Sequence, residues 1–85
     1  MYLHIGNGKS VKDKDIIGIF DLDTATVSSL TKKFVSSMQK DGKVEYTDND
    51  LPRSFVLISE GKDVKIKLSR ISALGLKQRA EGEEN

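Results

Sequence analysis

From Asp63 to Leu68 the apolar residues Val64, Ile66 and Leu68 alternate with Lys65 and Lys67. Successive side chains of a strand point to opposite faces, so this arm has one apolar face and one lysine face. Ser54 to Ser59 precedes it, with Phe55, Val56, Leu57 and Ile58 consecutive, and Gly61-Lys62 between the two runs predicts a hairpin. "DIIGIFD", Asp15 to Asp21, is β-branched and aromatic and reads as another strand. Tyr2 to Ile5 and Ser10 to Lys12 read as two short strands about a Gly6-Asn7-Gly8 turn, because Gly and Asn tolerate positive φ. Lys43 to Tyr46 is a weaker strand, followed by a "TDNDLP" loop in which Pro52 biases Leu51 to an extended conformation.

The period changes after Thr24. Val27, Leu30, Phe34, Val35 and Met38 form an apolar stripe of helical spacing, with Lys32, Lys33, Ser36 and Ser37 off it. Thr24 or Thr26 is placed to cap the start and Gly42 to close the end, so one amphipathic helix is expected from about 25 to 41. A short second helix is expected from Arg70 to Arg79, with Ile71, Leu74 and Leu76 inward and Gly75 weakening it by up to about 1 kcal/mol. The predicted fold class is α+β: a small twisted, mostly antiparallel sheet, one main amphipathic helix and a short C-terminal helix. Residues 1–80 form a single domain and 81–85 an acidic disordered tail.

Two strands are apolar on both faces. In "IIGIF" strict alternation puts Ile17 and Ile19 opposite Ile16 and Phe20; in "FVLI" Phe55 and Leu57 oppose Val56 and Ile58. One helix covers one face, so the other needs a second sheet layer or another subunit. In a chain of 85 residues with no cysteine to staple it, the subunit is the favoured cover. Ile16, Phe20, Val56 and Ile58 are then the expected oligomer interface. No apolar run approaches the roughly 18 residues of a membrane span, and the opening lacks a signal peptide's basic and apolar regions. A cytoplasmic protein without a membrane partner is expected.

The net charge of +1 conceals an uneven distribution. Residues 41–50 carry Lys43 against four acids, and Glu81, Glu83 and Glu84 close the chain, whereas residues 51–80 carry seven basic side chains against Glu60 and Asp63. The basic second half is the part suited to a polyanion.

Motifs for chemistry are incomplete. "GNGKS" ends like a phosphate-binding loop, but the first glycine that loop needs falls on Leu3 and a strand follows. "IIGIFDLDTATV" resembles the nucleophile strand of haloacid-dehalogenase-type phosphatases, yet Ala25 stands where Thr or Val is wanted and the chain is too short for the parallel sheet those enzymes use. His4 is the only histidine, "DNDLP" has too few well-spaced carboxylates for a calcium loop, and the helix serines have no base beside them. No enzyme, no cofactor, no metal and no small-molecule substrate are expected.

"MYLHIG", "DIIGIFD", "TKKF", "LPRSFVLI" and "LSRISALGLKQR" together resemble the Rem family of bacterial extracellular-matrix regulators, in order and spacing from about Tyr2 to Arg79. The opening Tyr-x-His and "LPRSFV" resemble the RemB branch rather than the RemA branch. The resemblance implies a subunit similar to LytTR-type DNA-binding domains, assembled into a homo-oligomeric ring that wraps DNA on its exterior. Where the RemA branch carries DNA-contacting arginines, this chain has Asp15, Leu51 and Pro52, with Lys14 and Arg53 adjacent.

The expected function is therefore a ring-forming DNA-binding transcriptional regulator of extracellular-matrix (biofilm) genes. Lys14, Arg53, Lys65, Lys67 and Arg70 are the expected phosphate contacts, multiplied around the ring. The alternative is an oligomeric scaffold that acts through protein contacts with a sister Rem protein and does not itself bind DNA.

Overall fold

The computed structural model describes residues 1–22, 29–47 and 51–81. Strands β1 (Tyr2–Gly6) and β2 (Lys9–Lys12) pair antiparallel as a separate two-stranded sheet. A 3-10 turn, Asp13–Asp15, leads into β3 (Ile16–Asp21), and helix α1 (Ser29–Lys40) is followed by β4 (Val44–Tyr46). Strands β5 (Ser54–Glu60) and β6 (Asp63–Ser69) form the expected hairpin, and α2 (Ala73–Glu81) ends the described chain. The proposed caps Thr24 and Thr26, and residues 82–85 of the expected tail, lie outside the described residues.

The main sheet has the order β3-β5-β6-β4. β3 is antiparallel to β5, β5 to β6, and β4 is parallel to β6, so the two edge strands run in the same direction. α1 lies in the connection between those edges, while the β5–β6 hairpin fills the middle. This crossover lays α1 over one face. Gly42, at φ 73°, ends the helix: its N–H donates to the Gln39 carbonyl at 3.1 Å, and the Lys43 N–H to the Met38 carbonyl at 2.9 Å. That pair of bonds is the Schellman arrangement that a left-handed residue permits.

The alternation of β5 builds two cores. Phe55, with Ile66, Leu68 and Met38, is buried beneath α1, and Leu57, Val64, Val35 and Val44 pack around them. Val56 and Ile58 point the other way, into a cluster with Leu3, Ile5 and Val11 of the β1–β2 hairpin and Leu76 of α2. A second sheet layer of the same chain thus covers the face for which a subunit was favoured. Of the expected interface residues, Val56 is 0% and Ile58 6% exposed, Ile16 is half-buried beside them, and Phe20 remains exposed.

β3 departs from strict alternation. Its register shifts between Ile16 and Gly18, leaving Ile17 as the extra, outward residue of a bulge. Ile16 and Ile19 consequently pack against the same cluster, where alternation had placed them on opposite faces. Phe20 lies on the α1 side, stacked on Phe55 at 4.9 Å between centroids, with its ring over Gly18. α2 also differs in phase: Ala73 and Leu76 are buried, Ile71 is half-buried, and Leu74, expected inward, is outward.

Polar groups clamp the layers together. Ser54 and Ser69 face each other across the last β5–β6 rung. The Ser54 hydroxyl donates to the Ile71 carbonyl at 2.6 Å, while the Ile71 N–H donates to the Ser69 hydroxyl at 3.0 Å. Ser69 Oγ donates in turn to the Ile5 carbonyl at 2.8 Å. Asn7 Nδ2 donates to the Thr47 carbonyl at 3.0 Å and Arg79 Nη1 to the His4 carbonyl at 3.2 Å.

Candidate nucleic-acid interface

The lysine face of β6 is legible from its register. Lys65 lies opposite Ile58 and Lys67 opposite Val56, so both lysines share the side of the sheet on which the β1–β2 hairpin rests. Lys67 hydrogen-bonds the Glu45 carboxylate, which its parallel register on β4 places beside it. Glu45 also lies 3.5 Å from Lys9 of β2, and so links the sheet to the hairpin above it. The Lys67 hydrogen bond holds the Glu45 carboxyl below its ordinary value, against the opposing effect of burial, with the charges of Lys67 and Lys9 adding to it. Lys65 pairs with Glu60 at 2.8 Å, whose hydrogen bond and charge raise the ammonium above its ordinary value. Lys65 is therefore matched by an acid of its own, while Lys67 shares Glu45 with Lys9, a trio that keeps one net positive charge. Sequence alternation revealed the shared face of Lys65 and Lys67 but not Glu45, which is distant in the chain from Lys67.

Lys14 is exposed in the 3-10 turn, between Asp13 and Asp15. It sits at the β3 start, near the Ile58 end of β5, whereas Arg53 and Arg70 flank the opposite end, where Ser54 pairs with Ser69. The Arg53 N–H donates to the Ser69 carbonyl at 2.8 Å, and both arginines are exposed. A seven-residue strand separates these ends by about 20 Å. The five expected contacts are hence spread along the sheet, with Lys14 toward one end, Arg53 and Arg70 at the other and Lys65 and Lys67 on β6 between them, not gathered in one patch. Asp15 belongs to the first end; Leu51, 86% exposed, and Pro52 precede the second.

A third basic surface was not singled out from the sequence. Lys32, Lys33, Ser36, Ser37 and Lys40 line an open recess of about 370 Å³ along the outer side of α1, away from the buried Met38. Their spacing of i, i+1, i+4, i+5 and i+8 was the available signal. Among the described residues, Lys32, Lys33 and Lys40 make no ion pair.

A separate apolar recess of about 230 Å³ lies between α1 and the β3–β5 side, lined by Phe20, Leu30, Thr31, Phe34, Phe55 and Leu57. Leu30 is 77% exposed there. Among the described residues no group of three His, Asp or Glu side chains is arranged to hold a metal ion, and no helix is long and apolar enough to cross a membrane.

The sequence that forms these surfaces matches known proteins. Residues 2–80 match the RemA-like family, described as extracellular matrix regulatory protein A-like. The chain belongs to the RemA-like family. It is similar to extracellular matrix regulatory protein B of Bacillus subtilis (strain 168), with 33% identity over 81 residues, covering 95% of this chain and 91% of that protein. In this RemA-like chain the matched range, residues 2–80, includes every residue of the three basic surfaces and of the apolar recess.

Proposed function

We propose that this RemA-like protein is a DNA-binding transcriptional regulator of extracellular-matrix genes that works as a homo-oligomeric ring of LytTR-like subunits in the cytoplasm. The observation that carries the reading is the exposed Arg53 and Arg70 pair at one end of the central hairpin. Guanidinium groups suit bidentate contact with phosphate, and a ring repeats a modest patch so that individually weak contacts add. Among the described residues the exposed cations lie on separate surfaces rather than side by side as a base-reading set, so DNA shape and deformability set preference. The exposed Phe20, Leu30 and Phe34 around the apolar recess supply the surface for a second copy.

A second reading has its own support. Lys65 and Lys67 are occupied by Glu60 and Glu45, which favours a scaffold that meets a sister Rem protein through the apolar recess. Fluorescence anisotropy of a labelled A/T-rich duplex and an equal-length RNA, at two salt concentrations, separates the two. Duplex binding that weakens steeply with salt supports the DNA regulator. An assembled protein that binds neither nucleic acid supports the scaffold.

A further inference from the structure

We propose that the outer face of α1 is a phosphate-tracking surface for duplex DNA, with Lys32, Lys33 and Lys40 as the cations and Ser36 and Ser37 as the close-approach positions. The inference rests on the DNA-binding reading above and assigns it a surface distinct from Arg53 and Arg70. At 100° per residue the five side chains occupy one arc of the helix, opposite Met38, which anchors α1 to the core. Small serines between longer lysines create the open recess, so an approaching phosphate meets hydroxyl donors at its floor and ammonium groups at its rim. Lys32 to Lys40 spans about 12 Å of helix axis, comparable to the axial rise of three or four phosphates of one DNA strand.

Charge balance separates this face from the lysines of β6. α1, Ser29–Lys40, contains no Asp or Glu, so its lysines gain nothing from the i,i+4 ion pairs that support exposed helices. The lysines of β6, by contrast, are matched to Glu45 and Glu60. None of the five lining residues is aromatic or aliphatic, so the recess has no group of its own to stack on an unpaired base; the exposed Leu30 and Phe34 lie beside it, around the apolar recess assigned to a second copy. The partner that fits is a regular array of phosphates read without regard to sequence, which is the backbone of a duplex.

The test is a salt titration of duplex affinity for the wild type, the Lys32→Gln/Lys33→Gln/Lys40→Gln variant, the corresponding Glu variant and Arg53→Gln/Arg70→Gln. Folding and assembly are checked by circular dichroism and sedimentation. Loss of up to three phosphate contacts per engaged subunit is expected to lower the slope of log affinity against log salt by about 2–3, with at least about tenfold weaker binding at low salt. The Gln variant, which keeps helix propensity, carries the conclusion if the Glu variant fails to fold. A wild type that binds DNA and a Gln variant with the same slope would overturn the α1 assignment and leave the DNA reading standing. A wild type that binds no duplex would overturn the DNA reading and the assignment with it. Binding to phosphatidylglycerol vesicles without binding to duplex would also overturn the assignment.

Discussion

Ser69→Ala probes the joint between the hairpin layer, the main sheet and α2. Ser69 is 1% exposed, and its hydroxyl both donates to the Ile5 carbonyl at 2.8 Å and accepts from the Ile71 N–H at 3.0 Å. Truncation to a methyl strands one buried acceptor and one partly buried donor. An unpaired buried group costs about 1–3 kcal/mol, so the combined loss is about 2–4 kcal/mol after partial relaxation. A chain of this length has a total stability of about 4–13 kcal/mol, which makes this single atom worth a large share. The midpoint of thermal unfolding should fall by about 10–25 °C. Urea unfolding followed by far-UV circular dichroism, at one protein concentration, measures the difference for the wild type, Ser69→Ala and the exposed control Ser59→Ala. The control should stay within about 0.5 kcal/mol. If Ser69→Ala also stays within that margin at an unchanged m-value, the hydroxyl is not the joint and the reasoning fails.

Glu45 gives a pH dependence. Its folded pKa lies below the ordinary 4.5, so its contribution is full above that value and is lost as pH falls through the lowered folded pKa. Because the side chain is 46% exposed, the contribution is at most about 1 kcal/mol; Glu45→Gln should flatten the acid limb of the stability profile, and an unchanged limb would count against the Lys67–Glu45–Lys9 link. In Gly18→Ala the added Cβ would lie 2.6 Å from the Phe20 ring, so the ring must swing away from Phe55, costing about 0.5–1.5 kcal/mol and altering the aromatic ring-current shifts in an NMR spectrum. Unaltered shifts would show that the ring does not rest on Gly18. Leu30→Glu should leave unfolding within about 0.5 kcal/mol while weakening self-association in sedimentation velocity; an unchanged size distribution would remove the apolar recess from the assembly.

Local pattern was legible where neighbours in sequence are also neighbours in space. The α1 helix, the Gly42 stop and the hairpin about Gly61-Lys62 depend on residues a few positions apart, and the structure has all three; of the α1 stripe Val35 and Met38 enter the core, Leu30 and Phe34 stay exposed, and Val27 lies outside the described residues. The bulge at Ile17 was not legible, because one extra residue inverts the parity of everything before it and "IIGIF" is apolar in either parity. The cover over Val56 and Ile58 was misassigned for a similar reason. Two apolar faces state that a second layer exists, but not whether the same chain provides it, and β1–β2 carries only Leu3, Ile5 and Val11 to announce the role. Among candidate contacts, alternation grouped Lys65 with Lys67, yet their acids depend on the parallel β4–β6 register and on the hairpin end at Glu60. The separation of Lys14 from Arg53 and Arg70 likewise follows from strand direction, which no local pattern carries.

The bonds that dock β1 on the rest of the chain end on its main-chain oxygens: Ser69 reaches the Ile5 carbonyl and Arg79 the His4 carbonyl. A carbonyl is present whatever side chain the residue bears. Position 4, whose side chain is exposed, is therefore free to change identity without loosening the attachment, while the donors at 69 and 79 are not. With Tyr2, Ser10 and Lys12 also outward on the same two strands, the hairpin acts as a fixed display frame. Its outer surface is open to divergence between paralogues at little cost to the fold.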